Sequence, residues 1–332
     1  MPHIAMPLRV MCSPAAAGPL RQALEKRTAL PEVEFVHPQP SVPLAAEIAF
    51  ISRDITGRST KFEVTPETAL YYEAMRHAPD LRWVHVHSAG ADREIYQSLH
   101  ARGVTITTSQ GASDHVVAHT ALAGVLALAR RLPLLADAQR RHAWRPLLGE
   151  LQPRDLAGQH AVIVGWGGIG QRIGAWLRML GLEISVARYS STPVEHARCT
   201  VAYGGLASLL PQADWLILAC PLTDATRGLV DAAALDALPA HAMIVNVARG
   251  HVVDEAALVE RLARGRLAGA CLDVLQHEPL PPESPLWSME NVIVMPHSAG
   301  FSDGNAARVL EIFVDNLSRW AAGQPLRNRL VT

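Results

Sequence analysis

The chain has 332 residues, of which 49% are hydrophobic and 18% are charged, and its formal net charge is −1. This length allows two domains with buried cores, and this composition excludes a disordered chain. The near-zero charge excludes a strong overall field that would attract nucleic acid or an acidic membrane surface. The four cysteines are scattered without a C-x-x-C pair, so we expect no metal centre, no disulfide framework and a cytoplasmic location.

Short apolar strands alternate with helices over residues 8–107, which is the pattern of a parallel sheet covered on both faces. We expect this segment to be a small α/β domain without a phosphate-binding loop. The predicted strands are 8–12, 33–36, 47–51, 83–87 and 104–107, and the predicted helices are 20–27, 66–77 and 92–102.

A long helix and an arm connect this segment to the second half of the chain. Residues 113–132 have a broad apolar face at helical spacing. Residues 134–154 are rich in arginine and include Trp144, and we interpret them as an arm that packs on a second subunit of a homodimer. An exposed connector is the alternative interpretation of this arm.

The stretch AVIVGWGGIGQ is the most informative motif of the sequence, because a buried strand, a tight turn and a helix follow one another around the pattern G-x-G-x-x-G. The first glycine permits the turn, the second lets the backbone approach a pyrophosphate, and the third lets the helix pack near the strand. The first helical N–H groups then point at the phosphates. A glycine turn without a ligand is the alternative. The predicted phosphate site comprises Gly165, Gly167, Gly168, Ile169 and Gly170.

This fingerprint opens a second run of strands and helices, which is long enough for a complete dinucleotide-binding domain. One last helix, 304–322, is predicted after the final strand, and we expect it to return to the first domain and make that domain discontinuous. The six predicted strands are 161–164, 183–187, 215–219, 243–247, 270–274 and 292–295, with a helix at 254–264 among the connections.

Three polar segments follow strands of this second run, and they read NVARG, DVLQHEPL and PHSAG. All three lie beyond the carboxyl ends of parallel strands, where open α/β sheets place their ligands. Together they bring Arg249, Glu278 and His297 to that edge. Each of these residues taken alone could be a surface group or an ion-pair partner, so their combination carries the functional signal.

These motifs, in this order, resemble the D-isomer-specific 2-hydroxyacid dehydrogenase family over nearly the whole chain. The resemblance also rests on CPLTDAT at 220–226, VDE at 253–255, PLW at 285–287 and, more weakly, SAGAD at 88–92. It implies an α/β fold with two doubly wound parallel-sheet domains. These are a flavodoxin-like, discontinuous substrate domain at 1–109 and 299–332, and a Rossmann dinucleotide-binding domain at 110–298 that carries a dimerisation arm at about 113–155.

The resemblance also implies a reaction in which a nicotinamide delivers a hydride to the carbonyl carbon of a 2-oxoacid, while His297 protonates the carbonyl oxygen. Glu278 would favour the charged imidazole, and Arg249 would hold the substrate carboxylate and polarise the carbonyl. Backbone N–H groups of Ala89 and Gly90 would bind the other carboxylate oxygen. The remaining cofactor contacts that it implies are Cys220, Pro221, Thr226, Val247, Ala248 and Asp273.

The residue that follows the second strand of the fingerprint unit indicates which nicotinamide cofactor is used. NAD enzymes carry an acid there, which hydrogen-bonds the ribose 2′-OH. This sequence has Arg188, with Ser190 and Ser191 close behind, and an arginine with two hydroxyls would receive a 2′-phosphate. We therefore expect NADP, with NAD as the alternative cofactor and a solvent-exposed arginine as the alternative reading.

The expected function is the reduction of a small 2-oxoacid, such as glyoxylate or hydroxypyruvate, to a D-2-hydroxyacid. The alternative, from another class, is a corepressor-like binding protein that senses NAD(P) with the same fold. Trp144 could supply an aromatic lid to the site of a partner subunit. His85 and His87 precede the SAGAD loop, and the sequence assigns them no role.

Overall fold

The computed structural model describes residues 7–27, 30–40, 42, 44–57, 59 and 63–330. The chain forms two compact units. The first runs to Ser113 and resumes at Ser302, and the second is Asp114–Phe301. Within the described residues, all strand pairings inside the two sheets are parallel. The predicted fold class, α/β with two parallel sheets, is therefore confirmed.

The described residues contain twelve strands and ten α-helices. The strands are β1 (Leu8–Met11), β2 (Val33–Val36), β3 (Ile48–Ile51), β4 (Trp83–Val86), β5 (Thr105–Thr108), β6 (His160–Val164), β7 (Glu183–Arg188), β8 (Cys199–Ala202), β9 (Trp215–Leu218), β10 (Met243–Asn246), β11 (Gly269–Leu272) and β12 (Val292–Val294). The helices are α1 (Pro14–Glu25), α2 (Arg53–Thr56), α3 (Pro66–His77), α4 (Glu94–Ala101), α5 (Asp114–Ala129), α6 (Leu132–Arg140), α7 (Gly168–Met179), α8 (Ala232–Ala237), α9 (Glu255–Ala263) and α10 (Asn305–Ala321).

The five strands of the first unit lie in the order β2-β1-β3-β4-β5, which is the flavodoxin-like order. All residues of β3 and β4 are buried, as expected for central strands of a parallel sheet. Helix α10 belongs to this unit although it is the last element of the chain. The ring of Phe313 on this helix packs against Phe50 and Trp83, with centroids 4.6 and 5.2 Å apart.

The seven strands of the second unit lie in the order β12-β11-β10-β9-β6-β7-β8. Counted from β6, six of them follow the dinucleotide-binding order 3-2-1-4-5-6, and β12 extends the sheet by one strand. The prediction of six strands is therefore wrong by one. The missed strand is β8, an edge strand whose residues are half-buried or exposed, so that it lacks the apolar run of the central strands.

Two helices begin earlier than the sequence predicts. Helix α1 begins at Pro14 instead of residue 20, because Ser13 caps it and proline suits the first helical position. The Ser13 hydroxyl accepts a hydrogen bond from the N–H of Ala16 at 3.1 Å. Helix α7 begins at Gly168 instead of residue 171, so the end of the glycine fingerprint is itself helical.

The segment predicted as an arm is partly helical. Helix α5 ends at Ala129, three residues before the predicted end of the long helix, and Arg131 then adopts a left-handed conformation with a φ of 52°. Helix α6 starts at Leu132 and contains residues 134–140 of the predicted arm. In the described part of the chain, no α-helix combines the length and the apolar character that a membrane span requires.

Candidate active site

At two positions of the glycine fingerprint between β6 and α7, neighbouring backbone atoms leave no room for a side chain. Gly165 has a φ of 99°, and a Cβ atom there would lie 2.6 Å from the backbone nitrogen of Cys220. A Cβ atom on Gly170 would collide with the carbonyl oxygen of Gly165. The space beside Gly167 is open, however, which suits the close approach of a phosphate. Ile169 packs against the core of this unit behind the turn.

An acidic side chain lies at the start of α7. The carboxylate of Asp114, in the first turn of α5, lies so close to Gly168 that a Cβ atom on Gly168 would collide with it. A helix N-terminus carries partial positive charge and favours a nearby carboxylate. Because the phosphates of a dinucleotide bind at such an N-terminus, Asp114 adds negative charge where a second anion is expected.

The loop after β9 packs against the glycine turn through Cys220. This residue is 3% exposed, and burial raises the pKa of its thiol to about 12, so the thiol stays neutral at physiological pH. Thr226 is fully buried, and its hydroxyl donates to the carbonyl of Pro221 at 2.7 Å and accepts from the N–H of Thr223 at 2.8 Å. The buried hydroxyl of Thr226 therefore fixes the backbone of this loop at Pro221 and Thr223.

Arg188 ends β7, at the position where an NAD enzyme carries its ribose-binding acid. Its Nε atom is buried and makes no hydrogen bond within the described residues. Its guanidinium carbon lies 4.8 Å from the ring centroid of Tyr189. Ser190 is half-buried and Ser191 is exposed directly after it. A buried donor without a hydrogen bond is costly, so we expect a ligand to supply the missing acceptor. A phosphate group could provide it.

The three residues predicted for catalysis follow three neighbouring strands. Arg249, Glu278 and His297 come after β10, β11 and β12, which lie side by side in the sheet. The loop after β10 also packs on the loop after β11, since a Cβ atom on Gly250 would collide with the backbone of Leu275. The sheet thus brings all three loops to one edge, as the sequence predicts for parallel strands.

The turn that carries Arg249 is held by the side chain of Asn246. The amide oxygen of Asn246 accepts the N–H of Ala248 at 3.0 Å, and Val247 and Ala248 are both buried. The half-buried Arg249 donates through Nη1 to the carbonyl of Ala248 at 2.7 Å. Its guanidinium is a planar group with five donors, a geometry that matches a carboxylate.

His297 and Glu278 are directly hydrogen-bonded. Nδ1 of His297 lies 2.8 Å from Oε2 of Glu278, and Oε1 of Glu278 accepts the N–H of Leu275 at 3.1 Å. An ionised carboxylate can only accept, so Nδ1 carries the proton in this contact and Nε2 is the ring atom left for chemistry. The side chain of His297 is 46% exposed, which makes it accessible to a ligand.

The backbone of His297 is held in an unusual conformation by Asp273. Its φ is 51°, in the left-handed region that residues other than glycine rarely adopt. The N–H of His297 donates to the carbonyl of Asp273 at 2.9 Å, and the Asp273 carboxylate accepts the N–H groups of Ser298 and Ala299 at 2.7 and 3.0 Å. Asp273 is 3% exposed, and this burial raises the pKa of its carboxyl group.

Ala89 and Gly90 lie in the first unit, in the loop that follows β4. The N–H groups of these two residues make no hydrogen bond within the described residues, and Ala89 is exposed. The hydroxyl of Ser88 donates to the carbonyl of Gly90 at 2.6 Å and holds the loop in a tight turn. Neighbouring unpaired amides of this kind suit an anion.

Comparison with known proteins identifies the family. The family model described as "D-isomer specific 2-hydroxyacid dehydrogenase, NAD binding domain" matches residues 122–299, which is more than half of the chain. The chain belongs to the D-isomer specific 2-hydroxyacid dehydrogenase family. The resemblance inferred from the sequence motifs is thereby confirmed, and with it a nicotinamide cofactor and a dehydrogenase reaction on 2-hydroxyacids.

Individual members of the family match over most of this dehydrogenase. It is 31% identical to glyoxylate/hydroxypyruvate reductase B of Enterobacter sp. (strain 638), over 93% of each chain. A D-isomer specific 2-hydroxyacid dehydrogenase from Xanthobacter autotrophicus Py2, solved with NADPH and MES, is 29% identical, with a TM-score of 0.76 and 98% of each chain covered. An NADPH-dependent glyoxylate/hydroxypyruvate reductase from Sinorhizobium meliloti, solved with NADP and malonate, is 28% identical, with a TM-score of 0.74 and coverage of 98% of this chain and 97% of that one.

The residues of the second unit fit a nicotinamide dinucleotide. The open space at Gly167 leaves room for phosphates at the start of α7, and no described residue supplies an acceptor for the buried Nε of Arg188. No cluster of three or more metal-ligating side chains is found in the described residues. Sequence reasoning missed Asp114, because its contact with Gly168 joins two helices that are distant in the chain and no motif marks it.

Asp114→Asn is expected to tighten the binding of the reduced cofactor about fivefold. The substitution removes a negative charge beside the phosphate site, and a pair of unit charges about 4 Å apart in water repel by about 1 kcal/mol. Titration of cofactor fluorescence with each variant measures the dissociation constant.

Asp155→Asn, at an exposed acid of the same unit, is the matched control and should leave the dissociation constant unchanged. The gain for Asp114→Asn should shrink at high ionic strength, because salt screens exposed charges. Weaker binding by Asp114→Asn would instead mean that the carboxylate is a ligand of the cofactor.

Proposed function

We propose that this dehydrogenase is a cytoplasmic, NADPH-dependent reductase of small 2-oxoacids, of the class that includes glyoxylate and hydroxypyruvate. The observation that carries the proposal is the 2.8 Å contact between His297 Nδ1 and Glu278 Oε2, on a loop beside that of Arg249. Relatives named as glyoxylate/hydroxypyruvate reductases support the substrate class. The four cysteines are free, which is in keeping with a reducing compartment.

His297 acts as the proton donor in this proposal. A bound reduced nicotinamide supplies the hydride that the carbonyl carbon accepts. The carbonyl oxygen takes a proton from Nε2 of His297, which leaves the ring neutral until water reprotonates it. Glu278 stabilises the protonated ring through Nδ1, so that a proton is present at Nε2 when the substrate arrives. The products are a 2-hydroxyacid and an oxidised cofactor.

Arg249 and the loop after β4 bind the substrate carboxylate in this proposal. The guanidinium of Arg249 matches the geometry of a carboxylate and also polarises the neighbouring carbonyl group. The unpaired N–H groups of Ala89 and Gly90 support a second contact to the same carboxylate. The proposed substrate-binding residues are therefore Ala89 and Gly90 in the first unit, and Arg249 and His297 in the second.

Arg188 selects the phosphorylated cofactor in this proposal. A guanidinium with an unpaired buried donor, next to Ser190 and Ser191, fits a 2′-phosphate and offers a ribose 2′-OH no acceptor. The two solved relatives described with NADPH or NADP support the same choice. The proposed cofactor contacts further include the glycine turn, the loop of Cys220, Pro221 and Thr226, the backbone at Val247 and Ala248, and Asp273.

A corepressor-like protein that only senses the cofactor would have no need for a proton donor. The contact between His297 and Glu278, with the strained backbone that positions it, therefore favours the enzyme. An assay of cofactor oxidation separates the two functions directly.

The purified enzyme is expected to oxidise NADPH when glyoxylate or hydroxypyruvate is added, and Glu278→Gln is expected to lower kcat about a hundredfold. The carboxylate stabilises the protonated imidazole, and general acid catalysis is typically worth a factor of 10² to 10⁴. Absorbance of the reduced cofactor measures both effects.

Glu283→Gln, at an exposed acid a few residues away, is the matched control and should keep wild-type activity. His297→Asn should remove activity while cofactor binding persists. Cofactor binding without oxidation by any 2-oxoacid would favour the sensing function and overturn the proposal.

Arg188→Asp is expected to reverse the cofactor preference, raising the KM for NADPH at least tenfold while improving the use of NADH. An acid repels the 2′-phosphate and accepts a hydrogen bond from the 2′-OH. Steady-state kinetics with both cofactors measure the ratio, and Arg178→Asp on α7 serves as the control. An unchanged NADPH/NADH preference in Arg188→Asp would show that the assignment is wrong.

We further infer a homodimer that uses the segment after α6. Trp144 is 97% exposed and Leu148 is 72% exposed, and exposed apolar side chains that cluster mark an interaction surface. Sedimentation is expected to show a dimer that Trp144→Ala weakens, with a higher KM for the 2-oxoacid if the ring covers the partner's site. Met179→Ala, at another exposed apolar residue, is the control. A monomeric protein, or unchanged kinetics in Trp144→Ala, would rule out the respective part of this inference.

A further inference from the structure

His85 on β4 and His87 directly after it have no part in the proposed reaction. The first of them, His85, is structural. Nδ1 of His85 lies 2.8 Å from the hydroxyl of Thr107, which also accepts the indole N–H of Trp83 at 2.8 Å. Nε2 of His85 lies 3.0 Å from the hydroxyl of Ser109, which donates to the carbonyl of Val86 at 3.0 Å. Both ring nitrogens are therefore used inside the core, where His85 is fully buried.

Among the residues that the structure describes, His87 hydrogen-bonds through only one of its ring nitrogens. Nε2 lies 3.0 Å from the hydroxyl of Thr56, and that hydroxyl donates to the carbonyl of Arg53 at 3.1 Å. Because the single hydroxyl proton is spent on the carbonyl, the ring must donate from Nε2, which leaves Nδ1 as a lone-pair acceptor. Nδ1 makes no hydrogen bond within the described residues, and it is not sealed from solvent.

The surroundings keep this acceptor neutral. Burial, followed by the nearby charges of Arg53 and Arg93, lowers the pKa of His87 to about 4. Arg93 is itself engaged, since it donates to the hydroxyl of Tyr72 at 3.0 Å and to the carbonyl of Ser59 at 2.6 Å. At physiological pH the His87 ring therefore offers an acceptor and no positive charge.

The backbone places this acceptor beside the proposed substrate loop. The N–H of His87 donates to the carbonyl of Ile51 at 2.9 Å, so His87 continues the pairing of β4 with β3. The next three residues are Ser88, Ala89 and Gly90, and the amides of Ala89 and Gly90, which have no partner in the described part of the chain, form the proposed carboxylate contact. In a 2-oxoacid, the carboxylate and the third carbon are bonded to the same carbonyl carbon. A group on the third carbon is therefore held close to whatever binds the carboxylate.

We propose that His87 is a specificity-determining residue, whose Nδ1 accepts a hydrogen bond from a hydroxyl group on the third carbon of the substrate. The preferred substrates are then 3-hydroxy-2-oxoacids, with hydroxypyruvate as the smallest. The inference rests on the proposed reductase function and narrows its substrate class. A site built to bond a hydroxyl group discriminates against the analogue that lacks it, because the protein acceptor is then left unpaired.

The test compares hydroxypyruvate with pyruvate, which differs only in lacking this hydroxyl group, and with glyoxylate. The wild-type enzyme is expected to have a kcat/KM for hydroxypyruvate at least tenfold above that for pyruvate. His87→Leu should lower the value for hydroxypyruvate about tenfold and change those for pyruvate and glyoxylate less than twofold. His87→Gln keeps an acceptor and a donor on one side chain, so it should restore much of the preference.

His77→Leu, at an exposed histidine at the end of α3, is the control for loss of a histidine as such. Thermal melting and cofactor titration of each variant check that the fold and the dinucleotide site persist. An equal loss on all three substrates, with no rescue by His87→Gln, would make His87 structural and overturn the inference.

Two further outcomes would also overturn it. An unchanged hydroxypyruvate/pyruvate ratio in His87→Leu would show that Nδ1 does not contact the substrate. A preference for 2-oxoacids with a second carboxylate would show that Arg53 and Arg93 bind an anion beside His87. Failure of the reductase proposal itself has a different signature, since the wild-type enzyme would then oxidise NADPH with none of these substrates.

Discussion

The hydrogen bond between Nδ1 of His297 and Oε2 of Glu278 is the contact on which the proposed proton transfer depends. It occupies Nδ1 of the ring, so Nε2 is the nitrogen from which the proposed proton transfer to a substrate takes place. The contact needs two loops from adjacent strands to meet at a fixed separation. The left-handed backbone at His297 and the hydrogen bond from the Leu275 N–H to the Glu278 carboxylate set that separation. The buried carboxylate of Asp273 holds the His297 loop by accepting two of its backbone N–H groups.

Parallel strands explain why so few long-range contacts are required to build this site. β10, β11 and β12 are neighbours that end at one edge, so their loops are close before any side chain interacts. Close backbone packing then sets the details, as at Gly250, where a side chain would collide with Leu275. The same logic holds at the glycine turn, where Gly165 and Gly170 allow strand and helix to meet.

The buried strands could be predicted to within one or two residues, because each is a short apolar run bounded by polar residues or glycine. Features that depend on contacts between residues far apart in the chain could not be predicted. The local sequence does not indicate that Arg131 adopts a left-handed conformation between α5 and α6. It also does not indicate that β8 pairs at the edge of the sheet. The catalytic candidates were visible as motifs. Asp114 and the hydrogen-bond partners of His85 and His87 were not, because their contacts join separate elements.

The two neutral histidines of the first unit also link its folding to protons. Burial lowers the pKa of His85 to about 3, and that of His87 to about 4, from an ordinary value of 6.5. Both rings are uncharged in the folded and unfolded chain above pH 6.5, so their contribution to stability is then complete. As the pH falls below that value, the unfolded chain takes up protons that the folded unit resists, and stability declines progressively towards the folded pKa values. Between these pH values, acid therefore destabilises the first unit by protonating the two histidines in its unfolded chain, while both rings stay mostly neutral in the folded unit.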